Sequence, residues 1–296
     1  MTALDPVLLS AIGDLELVAR VMVDGTMSGL HGSPFHGYSA EFSQYRHYRP
    51  GDDLKYVDWK LFARTDRFYT KQYRETTNMV ASIAVDVSGS MSFQGRTGAS
   101  KFQYARLLAA ALAHLISSQG DAIGTAAYSD TLVRYVPSRT GPSHLRALLV
   151  GLAKLQPSGG TSAAAQLGRA IDLLKRRGLL VIVSDLYDED AAVEREMKRA
   201  VRMGHELAVF QVITRDELDF PFTRDVEFED LETGRSVVTD PSAIGASYRR
   251  KMGDFVARWR ERCASSGIDY TLALTDLPLD TTLRGYLLKR TGAAAR

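Results

Sequence analysis

Thiol chemistry is nearly missing from this chain. Its one cysteine, Cys263, excludes an internal disulfide framework and a cysteine-based zinc site, and reads as a reduced, helix-borne thiol. An excess of either charge is missing too. Lys and Arg number 37 against 35 Asp and Glu, and a formal net charge of +2 gives no case for nucleic-acid or membrane binding. The longest apolar stretch, near 107–116, falls far short of the ~20 residues of a membrane span. The start of the chain carries acidic residues and lacks a basic segment followed by an apolar one, so no signal peptide is expected. Together these absences predict a cytoplasmic protein. Phosphate and dinucleotide signatures are also lacking. Gly89 and Gly95 are wrongly spaced for a P-loop and are followed by Arg96, and no G-x-G-x-x-G opens a helix after a strand. The six histidines (His31, His36, His47, His114, His144 and His205) are scattered without zinc-ligand spacing.

What remains is ordinary globular material, 45% hydrophobic and 24% charged, long enough for one large domain or two smaller ones. From residue 80 onward, strands alternate with helices. Apolar runs at 80–86, 122–128, 179–183, 207–213 and 270–274 read as strands, with 132–136 completing a hairpin across Ser129, Asp130 and Thr131. Between them, Leu108, Ala111, Leu112 and Leu115 repeat at helical spacing after Ser100 as cap. Leu145, Leu148, Leu149 and Leu152 do the same, as do Leu167, Ala170, Ile171 and Leu174. This alternation predicts an α/β fold with a mostly parallel central sheet and helices on both faces. A hairpin insertion is expected near 222–240 within a domain of residues 80–290. Residues 1–79 are expected to form an N-terminal helical segment, with Leu8, Ile12, Leu15, Ala19 and Met22 on one face, followed by a small subdomain. The tail after Thr291 is expected to fray.

The chemistry gathers at strand ends. Asp86 closes the first buried strand and is followed by hydroxyls at Ser88 and Ser90. Gly159 and Gly160 lead into Thr161 and a helix, and Asp185 ends another buried strand. Three turns on the same edge of a parallel sheet can bring these five oxygens to one point, and hard divalent cations take oxygen donors. The alternative is that Asp86 and Asp185 serve only as turn and cap residues. An enzymatic alternative is a Mg²⁺-dependent phosphohydrolase with Asp86 as nucleophile; such hydrolases usually carry a second acid two residues on, where Ser88 stands.

The five positions match, in order, the metal-ion-dependent adhesion site of von Willebrand factor A domains, and the chain resembles that family here. The resemblance implies Mg²⁺ or Mn²⁺ on Asp86, Ser88, Ser90, Thr161 and Asp185, with an acidic side chain of a partner completing the shell. Met91, Ser92, Tyr187 and Asp188 would rim it. Upstream, Glu41, the stretch Arg46 to Asp53 with Pro50 and Gly51, and Asp58 with Trp59 resemble the bacterial family called domain of unknown function 58. That resemblance covers roughly residues 15–275. It implies a von Willebrand A-like domain working with a MoxR-type AAA+ ATPase to assemble or mature client proteins, as a protein-interaction module and not an enzyme. Arg46, Arg49, Arg64 and Arg67 interleave with Asp52, Asp53, Asp58 and Asp66, which predicts paired ions. Arg49 and Arg64 are also candidates for a surface that reads acids. Asp52 or Asp53 is expected to cap the next segment, and Trp59 to anchor packing.

Overall fold

A computed structural model of the chain describes residues 15–27, 40–49, 52–53, 57–75, 79–160, 163–187, 190–223, 226–232 and 234–294. It divides into two compact units, one of Phe35–Met79 and one of the rest of the chain. Its first described helix is α1 (Leu15–Met27), which belongs to the larger unit.

In the smaller unit, β1 (Ala40–His47) pairs antiparallel with β2 (Tyr69–Glu75) around the short helix α2 (Trp59–Thr65). Asp58, and not Asp52 or Asp53, caps that helix. Its Oδ1 accepts the N–H groups of Lys60 and Leu61, both at 3.0 Å, and its Oδ2 accepts the Tyr45 hydroxyl at 2.8 Å. Asp52 is taken instead by the Arg46 guanidinium, at 2.8 and 2.9 Å, and by the Arg49 N–H. Trp59 is 56% exposed, edge-on to Phe62 and Phe68, because α2 has no buried face on which to anchor it.

The larger unit is a mixed α/β structure around a six-stranded sheet of order β10-β7-β6-β3-β4-β5. Its strands are β3 (Val80–Asp86), β4 (Ala122–Tyr128), β5 (Leu132–Arg139), β6 (Leu179–Ser184), β7 (Glu206–Ile213) and β10 (Asp269–Leu274). All neighbours pair parallel except β4 with β5, the hairpin expected from the turn at 129–131. The middle strands are near-continuous apolar runs, as parallel strands covered on both faces must be. β5, at the edge, is mostly solvent-accessible and carries Pro137, which has no N–H to give to a further strand.

Helix α3 (Lys101–Ser118) starts at a capping box made by Ser100 and Gln103 and is buried on nearly every side. It lies on β3, β4, β6 and β7 and is covered in turn by α1, α4 (Pro142–Ala153) and α9 (Leu279–Ala294). Grouping all of residues 1–79 together therefore needs correcting. Helix α1 buries Ala19, Met22 and Val23 and packs on α3, α4 and α9, so hydrophobic burial draws it to the larger unit. Leu8 and Ile12 lie outside the described residues. Of the tail expected to fray, Gly292–Ala294 continue α9 and the last two residues lie outside the described residues; earlier in its length α9 buries Leu283, Tyr286 and Leu287. The remaining elements are α5 (Ala163–Asp172), α6 (Asp190–Arg202), α7 (Arg215–Asp219), the hairpin β8 (Val226–Glu229) with β9 (Ser236–Thr239), and α8 (Pro241–Ser265). Among the described residues no helix is long and apolar enough to cross a membrane.

Candidate metal centre

Strand order turns around at β3, with β4 on one side of it and β6, reached much later in the chain, on the other. Ligand crevices in open α/β sheets form at such a point, beyond the carboxyl ends of the strands. Asp86 is the last residue of β3 and Asp185 directly follows β6, so both carboxylates stand at the crevice.

Asp86 is 2% exposed and both its oxygens are engaged. Oδ1 accepts the Ser88 N–H at 2.9 Å and Oδ2 accepts the Ser184 hydroxyl at 2.6 Å. After Ser88 the chain makes a 3₁₀ turn, Gly89–Ser92, that sets Ser90 Oγ 3.1 Å from Ser88 Oγ. Ser90 Oγ in turn donates to Asp185 Oδ2 at 2.8 Å. Two carboxylates and two hydroxyls thus meet. Thr161 lies outside the described residues. Its loop reaches the turn through Gly159, whose carbonyl accepts the Gly89 N–H at 3.0 Å, and through Ser158, whose N–H donates to the Val87 carbonyl at 2.8 Å.

Asp185 is held by its successors. Leu186 takes a left-handed backbone, φ 63°, which costs a β-carbon residue on the order of 1 kcal/mol. Its N–H donates to Ser184 Oγ at 2.9 Å and its side chain is buried in the core, so the surroundings fix the conformation. The Tyr187 N–H then donates to Asp185 Oδ1 at 3.2 Å, and Gln211 Nε2 donates to the Asp185 carbonyl at 3.1 Å.

A built-in cation completes the cluster. Lys101, at the first position of α3, is 1% exposed, and its Nζ donates to Asp185 Oδ2 and to Glu217 Oε1, both at 2.7 Å. Glu217 is fixed from behind by the capping box of α7, where its Oε2 accepts the Thr214 N–H at 2.7 Å. The Tyr187 ring lies over the ammonium with its centroid 4.5 Å away, and its hydroxyl donates to Glu217 Oε1 at 3.2 Å. Burial opposes the charge on Lys101, but Asp185 and Glu217 together outweigh it and hold its pKa above the ordinary amine value. Asp86 shifts in the costly direction. Burial first, then the like charge of Asp185, push its pKa up to about 6 against the hydrogen bonds from Ser184 and Ser88.

The expected rim is only partly at the rim. Met91 is fully buried, because the 3₁₀ turn points it into the core, and it is corrected from a partner contact to a packing residue. Ser92 is exposed, with its hydroxyl donating to the Gly89 carbonyl at 2.7 Å. Tyr187 is 41% exposed beside the cluster, and Asp188 lies outside the described residues. Arg49 and Arg64 are exposed residues of the smaller unit.

The turn leaves no space at Gly89. A Cβ there would stand 2.6 Å from the Leu231 carbonyl oxygen and 3.1 Å from that of Gly159. Gly89→Ala is therefore expected to cost about 1–3 kcal/mol, since backbone must move on both sides. Urea unfolding measures it, and an unchanged midpoint would contradict the tight contact.

Among the described residues no three His, Cys, Asp or Glu side chains gather as a metal-holding group. The donors that do gather are all oxygen, the preference of Mg²⁺ or Mn²⁺. Asp86, Asp185 and Glu217 against Lys101 leave two negative charges in a buried cluster, which a dication would balance. In their donor chemistry these residues fit such an ion, which Asp86, Ser88, Ser90 and Asp185 would hold.

The family described as protein of unknown function DUF58 matches residues 44–258. The chain belongs to that family. It is 31% identical over 244 residues to uncharacterized proteins of Mycobacterium bovis and Mycobacterium tuberculosis, covering 80% of this chain and 76% of each of those. Among solved structures it is similar to the conserved hypothetical protein BatB of Bacteroides thetaiotaomicron, at 16% identity and a TM-score of 0.47, over 72% of this chain and 99% of that one. It is similar at 16% identity and a TM-score of 0.48 to an aerotolerance-related membrane protein of Bacteroides fragilis, over 73% and 99%. In this DUF58 chain, sequence patterns left Lys101 and Glu217 unremarked. One signal for Lys101 was there: a lysine in the first turn of a largely apolar helix sits at the wrong end of the helix dipole, where an acid nearby would offset it.

Proposed function

We propose that this DUF58 chain carries a von Willebrand A-type domain that binds one divalent cation, Mg²⁺ or Mn²⁺, and through it an acidic side chain of a partner protein. The observation that carries the reading is the meeting of Asp86, Ser88, Ser90 and Asp185 at the sheet's switch point, in a buried cluster with surplus negative charge. Mg²⁺ held by only a few protein oxygens keeps waters in the rest of its shell, and an incoming carboxylate can replace one of them. Following the family resemblance, the partner is a MoxR-type AAA+ ATPase or its client, and the role is assembly or maturation of other proteins.

Calorimetric titration with Mg²⁺ or Mn²⁺ tests the ion. Binding is expected in the parent chain and at least ~10-fold weaker in Asp86→Ala, and equal heats from the two would exclude the ligand set. Capture of a MoxR-type ATPase, with and without EDTA, tests the partner; association indifferent to chelator would count against metal-mediated docking. The phosphohydrolase reading gains no observation, because Lys101 is spent between two acids and Ser88 stands where such hydrolases carry a second acid. Hydrolysis of generic phosphoesters, lost in Asp86→Asn, would restore it.

A further inference from the structure

One buried charge has no place in the ligand set. Lys101 is 1% exposed and stands against the site proposed to hold a cation, yet an ammonium has no lone pair to offer a metal. Four groups fix its position. Asp185 and Glu217 accept from it at 2.7 Å each, and the ring centroids of Tyr187 and Phe93 lie 4.5 and 5.9 Å from it. Asp185 Oδ2 accepts two donors at once, Ser90 Oγ at 2.8 Å and Lys101 Nζ at 2.7 Å. The ammonium is therefore one oxygen atom away from a hydroxyl proposed as a ligand. So close, and with so little solvent between, its charge is weakly screened.

That charge acts on two steps in opposite senses. With Lys101 in place, the three carboxylates leave two negative charges, and a dication brings the cluster to neutrality. An incoming carboxylate then meets no surplus of its own sign. Without the ammonium the cluster would carry three negative charges. It would hold the dication more tightly, and the loaded site would repel the carboxylate. Glu217 works in the reverse direction. It bonds Lys101, Tyr187 and Thr214, and among the described residues none of the four proposed ligands.

We infer that Lys101 and Glu217 set how tightly this centre holds its ion and how readily the loaded centre takes an acid. The inference rests on the proposed metal centre and adds two positioning residues to it, which act by charge and not by ligation. Lys101 weakens the hold on the ion and strengthens the hold on a carboxylate. Glu217, by partly neutralising Lys101, limits both effects.

The probes are Mn²⁺ and acetate, added to the full chain at about pH 8, above the carboxylate range. Calorimetry measures Mn²⁺ binding, and enhanced relaxation of the acetate methyl protons measures acetate at the loaded site. Lys101→Met is expected to bind Mn²⁺ at least ~10-fold more tightly than the parent and acetate at least ~3-fold more weakly. Glu217→Gln keeps Lys101 and the side-chain shape, and is expected to bind Mn²⁺ at least ~3-fold more weakly. The two replacements combined restore the parent charge and should return both constants to within about threefold of the parent. If Lys101 served only to hold Asp185 in place, Mn²⁺ would weaken in Lys101→Met and in the double variant; that result, or constants that do not move, would overturn the inference. Should Lys101→Met fail to fold, Glu217→Gln decides alone, and unchanged or tighter Mn²⁺ binding there would overturn it. Absence of Mn²⁺ binding from the parent and every variant would remove the metal centre itself, and the inference with it.

Discussion

Lys101→Ala is expected to lower folding stability by about 3–5 kcal/mol, the largest single effect at the site. The ammonium is buried between two carboxylates at 2.7 Å each, and removing it strands the buried Asp185 and leaves Glu217 without its counter-charge. A surface ion pair would be worth only about 0–1 kcal/mol, so the measurement separates the two situations cleanly. Urea unfolding of Lys101→Ala and Lys101→Met, each in EDTA, checks it. Methionine keeps most of the stem, so a similar loss in both variants assigns the effect to charge and not to packing. Adding Asp185→Asn and Glu217→Gln to Lys101→Met is expected to recover much of the loss, because a buried charge hurts most when its partner alone is removed. A loss below about 1 kcal/mol in the single variants would show that water reaches the cluster.

The second large effect is the dependence on pH set by Asp86. Its pKa is about 6 in the folded chain, against 3.8 for an unburied aspartate. Between those values the folded state keeps a proton that the unfolded state has released. Stability contributed by this group is therefore full below about pH 4, falls as pH rises through about 6, and stays reduced above it. A shift of this size corresponds to roughly 3 kcal/mol. In EDTA, Asp86→Asn is expected to be more stable than the parent at neutral pH by an amount of that order, and no more stable near pH 4. A divalent cation should reverse the ranking, since it stabilises the parent by binding only its folded state and leaves the variant unchanged. Denaturation midpoints of both proteins across about pH 4–8, with and without Mg²⁺, test this, and parallel profiles in EDTA would sink it.

Much of this was legible from pattern. The apolar runs before Asp86 and Asp185, the first broken only by Ser82, announce buried parallel strands, because near-continuous apolar runs suit a sheet covered on both faces. Once those strands are parallel, their carboxyl ends share an edge, and the Ser88 and Ser90 hydroxyls follow from local geometry. What pattern did not reveal depends on contacts far apart in the chain. The inward turn of Met91 is decided by a single 3₁₀ turn, and no periodicity spans so short an element. The placement of α1 on α3 is a packing choice made by Ala19, Met22 and Val23. The α9 helix shows little amphipathic patterning, and its burial comes from neighbours that no local window contains. The Glu217 role needs Lys101, 116 residues earlier.

That long-range bridge has a dynamic consequence. One ammonium fastens the start of α3, the segment after β6 and the short α7 helix, joining positions 84 and 116 residues apart. None of the three can swing outward without stripping a buried charge from the other two. Opening in this corner of the molecule is accordingly a single concerted event, and amide protons across all three segments should trade with solvent at one shared rate.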